Sequence, residues 1–295
     1  MKTNCPKCFI YPSKFRKRTR IKFGSYFRKS DRALITRYKC RICGVTFSTA
    51  TYDPCYRQLK RQLNDSVYNL LSSGVTQRRM AYLLKTNRKT IKRKFIFLGQ
   101  KSKLNLWIHN RQFPISKNIE IDELETFEIT KFKPLSVALA VESKTRRILG
   151  FQVSQMPPKG KLAAKGFMKY GKRQDHRRRG LQSLLLNLKD IVSANAEIKS
   201  DSNPNYPTII GSKFPAAHHI KILSRKGSIG GQGELKKVKF DPIFSLNHTC
   251  AKMRADVARL IRKTWSTTKK RERLELHMYI MADYHNRQLI SKKRV

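Results

Sequence analysis

Two cysteine pairs, Cys5-Pro6-Lys7-Cys8 and Cys40-Arg41-Ile42-Cys43, constrain this chain more than any other feature, and 31 residues separate them. Two residues between thiolates let one short turn aim both sulfurs at a single ion, so Cys5, Cys8, Cys40 and Cys43 suit one tetrahedral Zn²⁺. Gly44 permits a tight turn after the last ligand, and Phe47 can pack beneath a metal where no large core exists. A disulfide framework is the alternative. It is disfavoured by the absence of an apolar segment after the basic N-terminus, hence of an expected secretory signal, and by a composition that suits the cell interior. The segment from Phe9 to Lys39 interleaves Arg and Lys with Tyr and Phe, as strands lying on phosphates would. Residues 1–52 therefore read as a zinc ribbon. Cys55 and Cys250 fall outside the spacing and read as small buried residues.

The charge says what such a ribbon would meet. Against 65 Lys and Arg stand 19 Asp and Glu, a formal charge of +46 over 295 residues. Such self-repulsion calls for a polyanion, most commonly nucleic acid, with a ribosomal-type structural protein or a membrane-surface binder as the other classes. No run approaches the roughly 20 apolar residues of a spanning helix. With 39% hydrophobic residues in periodic runs, the chain is long enough for two or three folded domains.

After the ribbon the period becomes helical. Leu63, Val67, Leu70 and Leu71 share a face that Gly74 closes. Thr76 and Asn87 are placed to cap two further helices, with Met80, Ala81, Leu84 and Ile91 as the seam between them. The second helix carries Arg88, Lys89, Lys92 and Arg93, the side chains a recognition helix in a major groove requires. Residues 56–100 thus read as a helix-turn-helix, or as a plain basic hairpin, since Lys85 stands where the turn glycine is usual. Residues 101–117, with Trp107 and Pro114, read as a linker.

Within this basic chain five acids crowd into nine positions: Glu120, Asp122, Glu123, Glu125 and Glu128. A divalent cation is the economical partner for them; a solvent-facing strand edge, with Glu120 and Glu128 merely solvated, is the other reading. Residues 135–142 and 147–155 complete an antiparallel meander with the acidic strand. A basic insertion follows at 157–180, then a helix over 181–192 and a strand over 196–203 that ends at Asp201, placed to meet Asp122 on a neighbouring strand. Residues 218–224 read as a further strand and the glycines of 227–233 as a flexible loop. Leu246, Cys250, Met253, Val257, Leu260, Ile261 and Trp265 fall on one helical face, and Asn247 and Arg254 lie two turns apart. From spacing alone Asn247 is as easily structural as functional.

Taken in order, these features resemble the transposases of the insertion sequence one family. The resemblance rests on Ile121-Asp122-Glu123, Lys199-Ser200-Asp201, Met253-Arg254, Arg259-Leu260-Ile261-Arg262-Lys263-Thr264 and Ser266-Thr267-Thr268-Lys269. It implies an α/β fold, an RNase H-like mixed sheet flanked by helices over 118–285 with a basic tail at 286–295, whose DDE triad holds two Mg²⁺ or Mn²⁺ ions. Asp122 and Asp201 match its aspartates. Asn247 stands where the family has Glu, with Glu123, Glu234 and Asp256 as nearby acids. By the same resemblance, Asp122 bridges the two ions while Asp201 and Asn247 each bind one. His248 and Arg254 then face the scissile phosphate. The ribbon and helix-turn-helix recognise terminal inverted repeats, and Lys172, Arg173, Arg177, Arg178 and Arg179 track phosphates. The expected partners are double-stranded DNA, as transposon ends and target, and further copies of the chain in a homodimer or higher oligomer, without a membrane, in the bacterial cytoplasm at the nucleoid. A non-catalytic DNA-binding regulator or a decayed transposase is the competing class.

Overall fold

Hydrophobic alternation over Ile119–Leu124 and unbroken apolar residues over Leu135–Val141 produce the centre of the molecule. A strand buried on both faces reads as a continuous apolar run, and one that carries polar side chains on one face alternates. The computed structural model describes residues 5–8, 20–223, 241–260 and 266–291. By its internal contacts the chain forms two compact units, Met1–Ser66 and Val67–Val295.

In the first unit, β1 (Arg20–Arg28), β2 (Ala33–Cys40) and β3 (Thr46–Ser48) form an antiparallel sheet in that order. The turn after β2 closes through Gly44 N–H to Cys40 O at 3.0 Å, with Gly44 at φ +70°, the left-handed conformation its position requires. A short 3₁₀ turn, Thr49–Tyr52, follows.

In the second unit, β4 (Ser116–Phe127), β5 (Pro134–Glu142) and β6 (Ile148–Gln155) make the expected antiparallel meander, and β7 (Val192–Asp201) and β8 (His218–Ile222) extend it in parallel. The sheet order is β6-β5-β4-β7-β8. Helices α5 (Arg177–Leu188) and α6 (Tyr206–Lys213) cover one face, over Ile119, Ile121 and Ile198. The other face, with Leu124, Leu135 and Leu139, is covered by α7 (Phe244–Asp256), α8 (Arg271–Ser291) and the end of α3 (Arg88–Asn110). Among the described residues, no helix is long and apolar enough to cross a membrane.

The remaining helices are α1 (Leu63–Leu71), α2 (Gln77–Leu83), α3 (Arg88–Asn110) and α4 (Leu162–Tyr170), the last inside the basic insertion. Both anticipated caps form: Thr76 Oγ1 accepts Arg79 N–H and Asn87 Oδ1 accepts Lys89 N–H. Lys85 occupies the turn at φ +45°, so the strain a glycine would avoid is present there.

Three sequence expectations change. Residues 101–110 are not a linker but the second half of α3, with Ser102, Leu106 and Asn110 buried and the Asn110 amide donating to Ile148 O and Leu149 O. The helix docks closely because Gly99 meets Leu276, where an added Cβ would lie 2.7 Å from the leucine Cβ. The helix expected to run through Trp265 ends at Asp256: Val257 turns extended, which lets Val257, Ala258 and Leu260 all stay buried; residues 261–265 lie outside the described residues. The basic tail is likewise shorter, because α8 continues to Ser291 and Asn286 is buried, accepting Ile148 N–H and donating to Ile148 O. Residues 292–295 and the glycine-rich loop at 227–233 also lie outside the described residues, as does most of Phe9–Lys39 before Arg20.

Candidate metal centre and carboxylate site

The four cysteines converge as the spacing requires. Their sulfurs all lie within 4.8 Å of one another, with Cys5 Sγ 3.5 Å from Cys43 Sγ and Cys8 Sγ 3.8 Å from Cys40 Sγ. A tetrahedral ion with bonds of about 2.3 Å places its sulfurs roughly 3.8 Å apart, so the set fits a structural metal such as zinc. No cysteine is in a disulfide. Burial opposes ionisation of Cys40, but the backbone N–H groups of Cys43 and Ile42 outweigh it and bring the thiol down to about 7. Cys8, hydrogen-bonded to Cys43 and partly desolvated, is pushed up to about 12. Phe47 packs beneath the cluster with Tyr38, ring centroids 5.7 Å apart.

The second site lies where β4 and β7 run side by side. Their parallel register pairs Ile121 with Ser200, so Asp122 and Asp201 follow on adjacent strands. Asp122 is pushed up to about 6, chiefly by burial; the Glu123 N–H, 2.6 Å from its Oδ1, opposes this, the charges of Asp201 and Glu123 add to it, and Arg254 relieves it. Asp201 Oδ1 accepts the Asn203 N–H at 3.1 Å. A desolvated carboxylate repelled by its neighbours favours a cation. Asp122 and Asp201 can offer oxygens to a divalent ion, the ligand type Mg²⁺ takes. Among the described residues, however, only the cysteines form a group of three or more His, Cys, Asp or Glu ligand atoms close enough to share an ion.

The other expected participants divide. Asn247 Nδ2 donates to Asp241 Oδ2 at 2.8 Å, which leaves the amide oxygen as its only ligand atom. His248 meets Arg146, with the guanidinium 3.3 Å from Nε2, and stacks near Phe244, an arrangement at the β5–β6 turn. Arg254 is exposed, and its charge reaches Asp122. Glu123 points to the opposite face of β4 from Asp122, as period two demands, and there accepts the Ser136 hydroxyl at 2.8 Å with Arg177 at 3.9 Å. From there its charge adds to the repulsion on Asp122. Asp256 pairs with Lys252. Glu234 lies outside the described residues.

Glu120 is not solvated. It is buried, and its Oε2 accepts the Leu246 N–H at 2.8 Å, capping the first turn of α7 and so setting Asn247 and Arg254 relative to β4. Sequence reasoning missed Glu120 and Asp241. The alternation Glu120, Asp122, Leu124 could have revealed the first, since Leu124 is core; nothing local marks Asp241.

The basic residues divide as well. Arg88, Lys89, Lys92 and Arg93 are all exposed on the first turns of α3, and Lys172, Arg178 and Arg179 are exposed in the insertion. Arg173 and Arg177 instead serve the fold. Arg173 donates to Met156 O and Pro134 O, and Arg177 is bidentate to Asp175. Burial and missing acceptors draw them inward, which charge counting could not foresee. No protein-family model and no curated protein matches the sequence.

Proposed function

We propose that this chain is a DNA transposase similar to those of the insertion sequence one family, cutting and joining DNA strands with divalent metal, with Asp122 and Asp201 as its central carboxylates. The observation that carries this reading is the β4–β7 register, which brings two aspartates 79 residues apart in sequence onto adjacent strands of a mixed, helix-flanked sheet. That architecture agrees with an RNase H-like domain. The cysteine unit is then a zinc ribbon, and α2 with α3 a DNA-binding helix-turn-helix that recognises transposon ends.

Mg²⁺ or Mn²⁺ held by Asp122 and Asp201, with Asn247 as a neutral oxygen donor, would activate the attacking hydroxyl and neutralise the leaving oxygen. The protein's own groups orient the rest. Arg254, exposed beside Asp122, holds a phosphate oxygen of the scissile strand. The exposed face of α3 anchors the duplex by charge, and the chemistry proceeds in line: a P–O bond forms to the incoming oxygen as the bond to the leaving 3′ oxygen breaks. Asp122 must be ionised to bind metal, and burial holds its free carboxyl up near 6, so protons compete with the metal increasingly as pH falls.

The test is strand transfer. The full chain is incubated with DNA carrying candidate element ends and Mn²⁺ or Mg²⁺, beside Asp122→Ala and Asp201→Ala. Joined products reduced at least about 10³-fold in each variant, with duplex binding intact, are expected. Equal activity in the variants overturns the assignment. A second reading, a DNA-binding regulator descended from such an enzyme, is favoured by Asn247, whose amide nitrogen is engaged by Asp241; firm binding with no cleavage in either metal would establish it.

A further inference from the structure

A cleft of about 730 Å³ lies between α4 and residues 171–176, which lead into α5. That volume is within the roughly 300–1,000 Å³ of sites for small organic molecules. One wall comes from α4. Gly166 faces the body of the unit, where an added Cβ would lie 2.8 Å from Pro158 Cγ, and Tyr170, one turn on, has its ring centroid 6.2 Å from that of Phe132. Ala163 and Phe167, also one turn apart, are thereby directed into the cleft. The other wall is pinned to the sheet: Arg173 donates to Met156 O and Pro134 O, and the His176 N–H to Gln155 O at 3.0 Å. Gly171, at φ +73°, makes the turn between the two walls.

Two chemistries meet in this cleft. Phe167 is 61% exposed although it lines a recess, and Pro157, Pro158 and Ala163 continue the apolar surface beside it. Lys172 and Arg179, both exposed, stand with Arg173 on the basic side; the one acid of the lining, Asp175, is held by Arg177. Helix α4 itself adds Lys165 and Lys169 and no acid. An apolar protein surface would cover Phe167 but strip water from Lys172 and Arg179 without pairing them. A bilayer meets groups that protrude, and this ring is recessed. The backbone of a duplex would meet the cations and leave the ring in water, because paired bases show their faces only to one another. An unpaired strand answers both needs: its phosphates take the cations and a base lays its face on the ring.

We infer that this cleft holds a single DNA strand, with one base stacked on Phe167 and its phosphates on Lys172 and Arg179. The inference rests on the reading of the chain as a DNA-processing protein and adds to it a place for unpaired DNA, distinct from the duplex surface of α3. Stacking is indifferent to base identity, since every base has a π-face, so the cleft accepts any sequence.

The test compares three dye-labelled ligands of equal length by anisotropy with the full chain: oligothymidine, an abasic oligonucleotide with the same phosphates, and a duplex. Wild type should bind oligothymidine about tenfold more tightly than the abasic strand. Phe167→Ala should erase that difference and leave duplex affinity unchanged, and Phe167→Tyr, which keeps a ring, should retain it. Lys172→Ala and Arg179→Ala should each lower the slope of log oligothymidine affinity against log salt by about 0.7. Should Phe167→Ala fold poorly, Phe167→Trp decides: oligothymidine must quench the emission of the new indole and the abasic strand must not. Equal binding of the two strands by wild type, a preference that survives Phe167→Ala, or parallel loss of duplex and single-strand affinity overturns the strand cleft and leaves the transposase reading standing. So does binding of phosphatidylserine vesicles that Phe167→Ala abolishes while strand preference is unchanged, which would make the cleft a lipid site. Absence of any DNA binding overturns both.

Discussion

The two units of this chain reach order by different means. The cysteine unit has a core of Cys5, Cys40 and Phe47 with Tyr38, Cys8 and Cys43 against it, while β1 is exposed over almost its whole length, including Phe23 and Phe27. The sheet unit has an extensive apolar core on each side of β4 and β5. Fewer than about 70 residues rarely bury enough apolar surface to be stable unaided, so the first unit depends on its sulfurs and the second on packing. The consequence extends to function: the first unit can expose aromatic and basic side chains, and the second can hold a desolvated carboxylate at a fixed place in a rigid sheet.

Metal removal gives the largest expected effect on that contrast. A zinc-selective chelator, or Cys40→Ser, should abolish hydrogen-exchange protection over residues 20–48, a loss on the scale of the about 10–16 kcal/mol of structural zinc binding. Protection of β4–β7 should not change. Exchange unaltered in the first unit would show that its sheet stands without metal.

Acid should act on the other side of the comparison. His277 is fully buried, its Nε2–H donating to Leu71 O at 2.9 Å, and burial holds it down at about 4. Because the unfolded chain binds this proton near 6.5 and the folded chain near 4, the stability it contributes is present above about 6.5. It is lost as pH falls to about 4, by about 3 kcal/mol. Asp122, raised in the folded state, works oppositely, losing stability as pH rises through about 6. Denaturant melts of wild type and His277→Gln across this range isolate the histidine; parallel pH profiles would refute its role.

The smallest effect concerns DNA. Lys89→Ala or Arg93→Ala on α3 should each lower the slope of log affinity against log salt by about 0.9 without moving the melting temperature. An unchanged slope would take α3 out of duplex binding and leave it to the other exposed basic residues, on β1 and at Lys172, Arg178 and Arg179.

Much of the fold could be read locally. The cysteine spacing, the caps at Thr76 and Asn87, the meander and the strand ending at Asp201 all follow from short-range pattern, because turn, cap and alternation energies act within a few residues. The second half of α3 escaped such reading: Ser102 and Asn110 look like loop residues, yet Ser102 donates to Asp283 and Asn110 to β6 backbone. Glu120 and Arg173 were misread for the same reason, since their partners lie 126 and 39 positions away, whereas Arg177 is held by Asp175 only two residues before it.

By itself the sequence determined that the chain is strongly basic, that four cysteines can share one ion, and that Asp122 belongs to a strand in which acids crowd together. These depend only on composition and on the fixed periods of turn, helix and strand. Tertiary structure alone decided that Asp122 and Asp201 are neighbours, that Glu123 faces away from them, and that Asn247 is engaged by Asp241. Which strand lies beside which is set by burying two apolar faces at once, a constraint that no local stretch of sequence carries.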